Sequence, residues 1–344
     1  MPVSSDLVQI AIVQETAYGV IPTDPDWLVL PITSEGVVAT PETTLSALLN
    51  PHRQVSDSIL VNMSAEGDVN AEMVVCEAFK LILASAISNE LVQMEVGTFP
   101  PIVPGKDPAN AEFGKIGKDL ISFAIERRIP APTYTDDVPV YEYQRITGCV
   151  VNTLSITSSP SEPISWSAGL IGKDYLTDSS LFLGSDYVEP NDITVLRSPD
   201  VLVLGIDDEA IDARCFGDFG ININNNVRGI QCIGTLGNRH TVLGRCEIDL
   251  SATIHFATND LLDRLLAQSE HSLEFRIEAA QATATHIAMF GMDFTRMKIS
   301  ADAVVAGGTN IDVVNDMTMT AIYDDTVNVE TTVTVTVGDG ALAV

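Results

Sequence analysis

At 344 residues the chain is long enough for one large or two medium domains, and its 46% apolar content excludes disorder. Eighteen basic against 47 acidic residues leave a formal charge of -29, a field that repels nucleic acid and anionic membrane wherever it is unscreened. An ordinary nucleic-acid binder is excluded. A surface past which DNA slides is not.

The N-terminus, Met1 to Asp6, carries no basic region and no apolar core follows it before Gln14, so no secretory signal is expected. Residues 1–66 read as extended and irregular, because Pro22, Pro25, Pro31, Pro41 and Pro51 prevent long helices. Within them Leu28-Val29-Leu30-Pro31-Ile32 reads as a short strand. A strand at Asp68–Glu72 then leads into a helix from Ala78 to Ile87, with Phe79, Ile82, Leu83, Ala86 and Ile87 at helical spacing. Glu77 and Lys80 interrupt its apolar run, which is too short to span a bilayer. Residues 97–118 are rich in Gly and Pro and read as a long loop or loose hairpin, a length usually tied to function or disorder.

Strands follow at 121–126 and 148–157, then an acidic connector over 172–200. The second half restates the first. Leu273-Glu274-Phe275-Arg276-Ile277-Glu278 matches Ile121 to Glu126, and Gly291 to Ile299 matches Gly148 to Ile156. Glu247–Ser251 leads into a helix over Asn259–Leu266, as Asp68–Glu72 leads into the first, with Asn259 as N-cap. Val201–Ile206 stands where Leu28–Ile32 stands in the first half. The insertion at 97–118 has no counterpart, since Ser269 to Leu273 turns directly into the strand. Val327–Val337 alternates Val with polar residues and reads as a strand, followed by a poorly ordered tail at Gly338-Asp339-Gly340.

The expected fold is therefore mainly β with few helices, a β-rich α+β class, with one flanking amphipathic helix in each half. Two tandem units are expected, 1–178 and 179–344. A duplicated β-rich unit suits symmetric assembly better than a single catalytic pocket.

No chemistry stands out. The histidines (His52, His240, His255, His271, His286) lack metal-ligand spacing, and the cysteines (Cys76, Cys149, Cys215, Cys232, Cys246) lack C-x-x-C spacing and read as reduced, packed thiols. Asp136-Asp137, Asp207-Asp208-Glu209 and Asp324-Asp325 are expected from composition alone, and the second lacks the pattern of a calcium loop. No nucleophile elbow, phosphate loop or dinucleotide motif is present. No enzyme, cofactor or metal site is expected.

Glu15-Thr16-Ala17-Tyr18-Gly19-Val20-Ile21-Pro22, then Leu30 to Glu35, Gly67-Asp68-Val69 and Gly148 to Ile156 resemble, in this order, the tail tube proteins of long non-contractile-tailed bacteriophages. The resemblance covers most of residues 8–170 and reaches the second half through the repeat. It implies tail-tube-type β-sandwich or barrel units whose inner sheets join into a ring, and rings stacked into a hollow tube that conducts DNA. It also implies residence in the virion tail after assembly in the host bacterial cytoplasm. Its partners are further copies of the chain, tape-measure and terminator or tip proteins, and genomic DNA that passes without specific binding; no membrane is involved. An acidic lumen would let the duplex slide.

With two units per chain, three chains would close a pseudo-sixfold ring, favoured over a true hexamer. The candidate ring-to-ring contacts are Glu15, Tyr18 and Gly19 in the N-terminal arm and Pro104, Gly105 and Lys106 in the long loop. The alternatives are a capsid decoration or head-tail joining protein, and a carbohydrate-active β-sandwich enzyme. The last would need aromatic platforms, whereas Trp27 and Trp166 stand far apart.

Overall fold

A computed structural model describes residues 4, 7–49, 51, 52, 54–93, 111–135, 138–178, 182, 186–190, 193–207, 214–280, 286–306, 309, 311–326 and 331–341. Among them the chain is mainly β, with a 19-stranded hydrogen-bonded network, a separate two-stranded hairpin and two α-helices. Two strands of 21 residues, Val138–Ser158 and His286–Ala306, organise the whole. Each changes neighbours along its length.

The first half of Val138–Ser158 lies between Phe123–Thr135, which in turn pairs with Gln9–Gln14, and Asp174–Asp178. Its second half pairs with Ser165–Gly172, then comes Ser58–Glu72, then the edge segments Ser34–Glu35 and Val38–Leu45. The same pairings recur around His286–Ala306. Its first half lies between His271–Ala280, backed by Val201–Ile206, and Thr334–Ala341. Its second half pairs with Val313–Ala321, then come Glu247–His255 and Phe216–Asn224. One assignment from the sequence is corrected. Val201–Ile206 corresponds to Gln9–Gln14, because both bond the strand that precedes a long strand; Asp26–Val29 flanks Gln9–Gln14 instead.

A single ladder fuses the two patterns: Phe219–Asn224 pairs antiparallel with residues 153–158. One layer therefore runs without interruption from Val38–Leu45 to the end of His286–Ala306. Two more ladders cross the expected boundary at 178/179. Asp186–Val188 lies parallel to residues 26–28, and Thr334–Val337 pairs with Glu112–Lys115.

Helix α1 (Glu77–Ile87) departs from the flanking, amphipathic helix expected. Every residue after Glu77 is buried. Lys80 interrupts the apolar pattern only in name, since its stem packs inward and its ammonium reaches Glu77 at 2.8 Å and Glu112 at 3.4 Å. Phe79 packs on Trp166 (5.5 Å between centroids) and on Phe290 (5.9 Å), so this one ring touches both halves of the chain. Asn225 donates to the Ala86 carbonyl at 2.8 Å, tying the end of the helix to the fusing ladder.

Helix α2 (Asp260–Ala267) is the amphipathic one, with Leu261 buried and Leu266 exposed. Asn259 does sit at its N-cap, but its side chain makes no cap hydrogen bond; Asp260 binds Arg214 and Arg264 instead. The expected disordered tail is also corrected, because Gly338, Asp339 and Gly340 continue a strand against Ile287–Met289. All five cysteines are free, with Cys76 and Cys149 buried, and burial pushes the Cys149 thiol well above its ordinary value. Phe79→Ala should cost about 3–5 kcal/mol, measured by equilibrium chemical denaturation. A loss below about 1 kcal/mol would mean that the ring does not bridge the two halves.

Candidate assembly surfaces

The arm that follows Gln9–Gln14 turns back on itself at Ala17 and Val20, whose backbones bridge. Glu15 starts that turn and is buried. Its carboxylate accepts from the Gly19 N–H at 2.7 Å, the Ser122 hydroxyl at 2.6 Å and the Gly148 N–H at 2.7 Å. Charge-assisted bonds of this kind offset the desolvation of a buried acid. Gly19 (φ +77°) and Gly148 (φ +65°) both face Lys173, and a Cβ on either would lie 2.6 Å from that side chain. The Tyr18 hydroxyl meets the Thr241 hydroxyl at 2.5 Å, and burial pushes its phenol above the usual value.

Glu15, Tyr18 and Gly19 are thus brought together, with their recorded contacts inside the chain. They clasp the arm to Lys173 and to the hairpin Arg228–Ile230/His240–Val242. The other three candidates, Pro104, Gly105 and Lys106, lie outside the described residues.

A second carboxylate hub, Asp207, follows Val201–Ile206 as Glu15 follows Gln9–Gln14. It accepts from the Ser272 N–H at 3.1 Å, lies 2.7 Å from His271 Nδ1 and takes the Arg264 guanidinium at 2.8 Å. Burial opposes its charge, but the His271 and Ser272 bonds and the Arg264 charge outweigh it and hold Asp207 below its usual value.

Two exposed faces stand out, and the sequence did not single them out. The first is the open face of the continuous layer. Along Glu247–His255 burial alternates, so Ile248, Leu250, Ala252 and Ile254 face the core while Glu247, Asp249 and Ser251 face out. Register carries the same parity to Ser155, Ser167, Asn70, Asn222 and Thr320, and to the acids Asp68, Glu72 and Asp316. Hydroxyls bond across strands, Thr320 to Asp249 at 2.8 Å and Thr253 to Asp316 at 3.2 Å. The outcome is a carpet of Ser, Thr, Asn and carboxylate.

The second is the long hairpin of Val38–Leu45 and the start of Ser58–Glu72, with exposed Leu45, Leu48, Leu49, Val55, Ile59, Leu60 and Val61. Leu49 is exposed as fully as in an extended peptide, at 104%. Contiguous apolar surface of this kind marks a contact site. Its signal in the sequence was present, in Leu45, Leu48 and Leu49, but turn residues around Pro51 masked it as a loop.

Among the described residues no cluster of His, Cys, Asp and Glu could hold a metal, and no helix is long and apolar enough to cross a membrane. A family model described as phage tail tube protein matches residues 5–330. No curated protein matches the chain.

Glu15→Gln replaces one acceptor oxygen by a donor and strands a buried N–H or hydroxyl, so it should cost about 1–3 kcal/mol by urea denaturation. A neutral outcome would return Glu15 to the surface contacts. Asp207 has a lowered folded pKa, so its stabilisation is complete above its unfolded value and is lost as pH falls through the lower folded one. Asp207→Asn should therefore flatten the loss of melting temperature below about pH 4; an unchanged acid slope would remove the hub from that role.

Proposed function

We propose that this chain, which belongs to the phage tail tube protein family, forms the wall of the tube with the open face of its continuous layer lining the bore. The role is structural rather than catalytic. The observation that carries the orientation is the composition of that face: Asp68, Glu72, Glu247, Asp249 and Asp316 stand among hydroxyls and amides, with Arg296 and Lys298 the cations of the same parity, both held by Glu270. Carboxylates repel phosphates, and lateral hydrogen bonds to Thr320 and Thr253 keep polar atoms occupied. A duplex meets a wall whose carboxylates outnumber its cations, so few counterions are displaced from the DNA and it slides towards the host.

The recurrence of pairings around the two long strands supports two ring segments per chain, residues 1–178 and 179–344. Three chains would then close a pseudo-sixfold ring. Rings of this kind stack into a tube in the host cytoplasm around a tape-measure protein, and terminator and tip proteins close its ends.

Electron microscopy of the purified protein tests the reading. Stacked rings with threefold symmetry are expected; six identical subunits per layer would overturn the trimer, and no rings at any concentration would overturn the tube. Charge gives an independent measure. Tubes carrying Asp68→Lys, Asp249→Lys and Asp316→Lys should retain duplex DNA at about 50 mM salt and lose it by about 200 mM, while wild-type tubes retain none. Equal retention by both would place that face away from DNA.

A further inference from the structure

Three polar side chains at the end of α2 form one chain of hydrogen bonds. Asp207 Oδ2 lies 2.7 Å from His271 Nδ1, and His271 Nε2 lies 2.6 Å from the Ser269 hydroxyl. The other Asp207 oxygen accepts from the Ser272 N–H at 3.1 Å, which fixes the plane of the carboxylate. Carboxylate, imidazole and hydroxyl in that order are the arrangement by which a serine becomes a nucleophile.

The positions of the protons follow from the partners. Asp207 is held below its usual value, so its carboxylate is ionised and can only accept. His271 Nδ1 therefore carries the hydrogen, and Nε2 of the neutral ring is left as an acceptor. The Ser269 hydroxyl has two acceptors in reach, Nε2 at 2.6 Å and the Arg264 carbonyl at 3.3 Å, and the nearer one takes its hydrogen. Arg264 steadies the carboxylate from the helix, 2.8 Å from Asp207 and 3.0 Å from Asp260. His271 is buried, whereas Ser269 is half-buried and follows exposed Leu266, Ala267 and Gln268. The base is shielded and the nucleophile is open to solvent.

The first half shows that the turn does not require this chemistry. By the offset that matches Leu273 with Ile121, Ser269 falls on Gly117 and His271 on Asp119. The carboxylate hub there, Glu15, is filled by two backbone N–H groups and the Ser122 hydroxyl. Among the described residues, the second half alone places an imidazole between a carboxylate and a hydroxyl.

We infer that Ser269 is a nucleophile that takes an acyl group from an activated ester, with His271 as its general base and Asp207 as the residue that positions His271. Ser269 Oγ attacks the acyl carbon while its proton passes to His271 Nε2. The bond from that carbon to the leaving oxygen breaks, and His271 hands the proton to the departing alcohol or phenol. The products are an acyl ester on Ser269 and the free hydroxyl compound. The reaction stops there, because the site faces the carbonyl end of a helix. The Arg264 carbonyl, 3.4 Å from Ser269 N and 3.3 Å from Oγ, repels a developing oxyanion where a hydrolase places N–H donors. Only donors with a good leaving group react, and the acyl group stays. A site of this kind modifies a wall protein once and gives it no turnover, so it stands whether or not the chain forms a tube.

Full-length protein treated with 4-nitrophenyl acetate, then digested and mapped by mass spectrometry, tests the inference without any variant. Ser269 should be acetylated about a hundredfold faster than the exposed Ser58, Ser251 and Ser300, the gain that a positioned base supplies. Equal rates at all four serines, or no acetyl group on Ser269, would overturn it. His271→Ala should lose that excess and regain it with added imidazole, a rescue that a purely structural histidine would not show. An undiminished rate in His271→Ala would remove the base from the scheme. Asp207→Asn should lose the excess and Asp207→Glu, which keeps the carboxylate, should retain it; equal reactivity in the two would reduce Asp207 to a packing contact.

Discussion

The ladder between residues 153–158 and Phe219–Asn224 is the interaction on which the rest of the architecture depends. Every backbone N–H and C=O in a sheet needs a partner, and a strand supplies them on two sides. Val138–Ser158 satisfies both sides along most of its length by changing neighbours: outer strands along its first half, then Ser165–Gly172 and Phe216–Asn224 along its second. Without that last pairing the first half of the chain would end in a bare edge, and the second half would begin with one. The α1 core is built around the same seam. Asn225 bonds both the end of the helix and the Val151 carbonyl, and Phe79 spans from Trp166 to Phe290. The halves are therefore not beads on a linker but one folded body with a shared interior.

That seam also decides what the surfaces are for. A sheet that is continuous across the chain has one face committed to the core by alternation and one face free. The free face carries the acids, while the apolar exposure gathers on the Val38–Leu45 hairpin and on the edge around Val304. Apolar surface sits where backbone edges are open, so association there gains both buried area and ladder hydrogen bonds. Charge sits where no strand can add.

Much of the fold was legible because β alternation survives in both halves. The match of Gly148–Ile156 with Gly291–Ile299 keeps its buried positions in step: Cys149 and Met292, Val151 and Phe294, Leu154 and Met297, and Ile156 and Ile299 are all buried. The strand-to-helix order was legible for the same reason. What failed did so where a residue type has two physical uses. Lys80 breaks an apolar stripe on paper, but its stem can lie in a core while Glu77 and Glu112 meet its charge. Gly338 and Gly340 suggest a frayed end, yet a ladder already anchored by Val335 and Val337 carries them along.

The site was less legible than the fold, because the direction of a side chain is set by tertiary contacts that no local pattern encodes. The order Glu15, Tyr18, Gly19 located a turn, but not that Glu15 points inward to Gly148, far along the chain. The free edges could not be seen either, since a strand reads the same with one neighbour or two. What distinguishes them is the repeat itself. Ser34 and Asn222 take matched places, opposite Asn70 and Asp249, yet among the described residues only Asn222 has a strand on its other side as well, so matched sequence positions do not share the same neighbours.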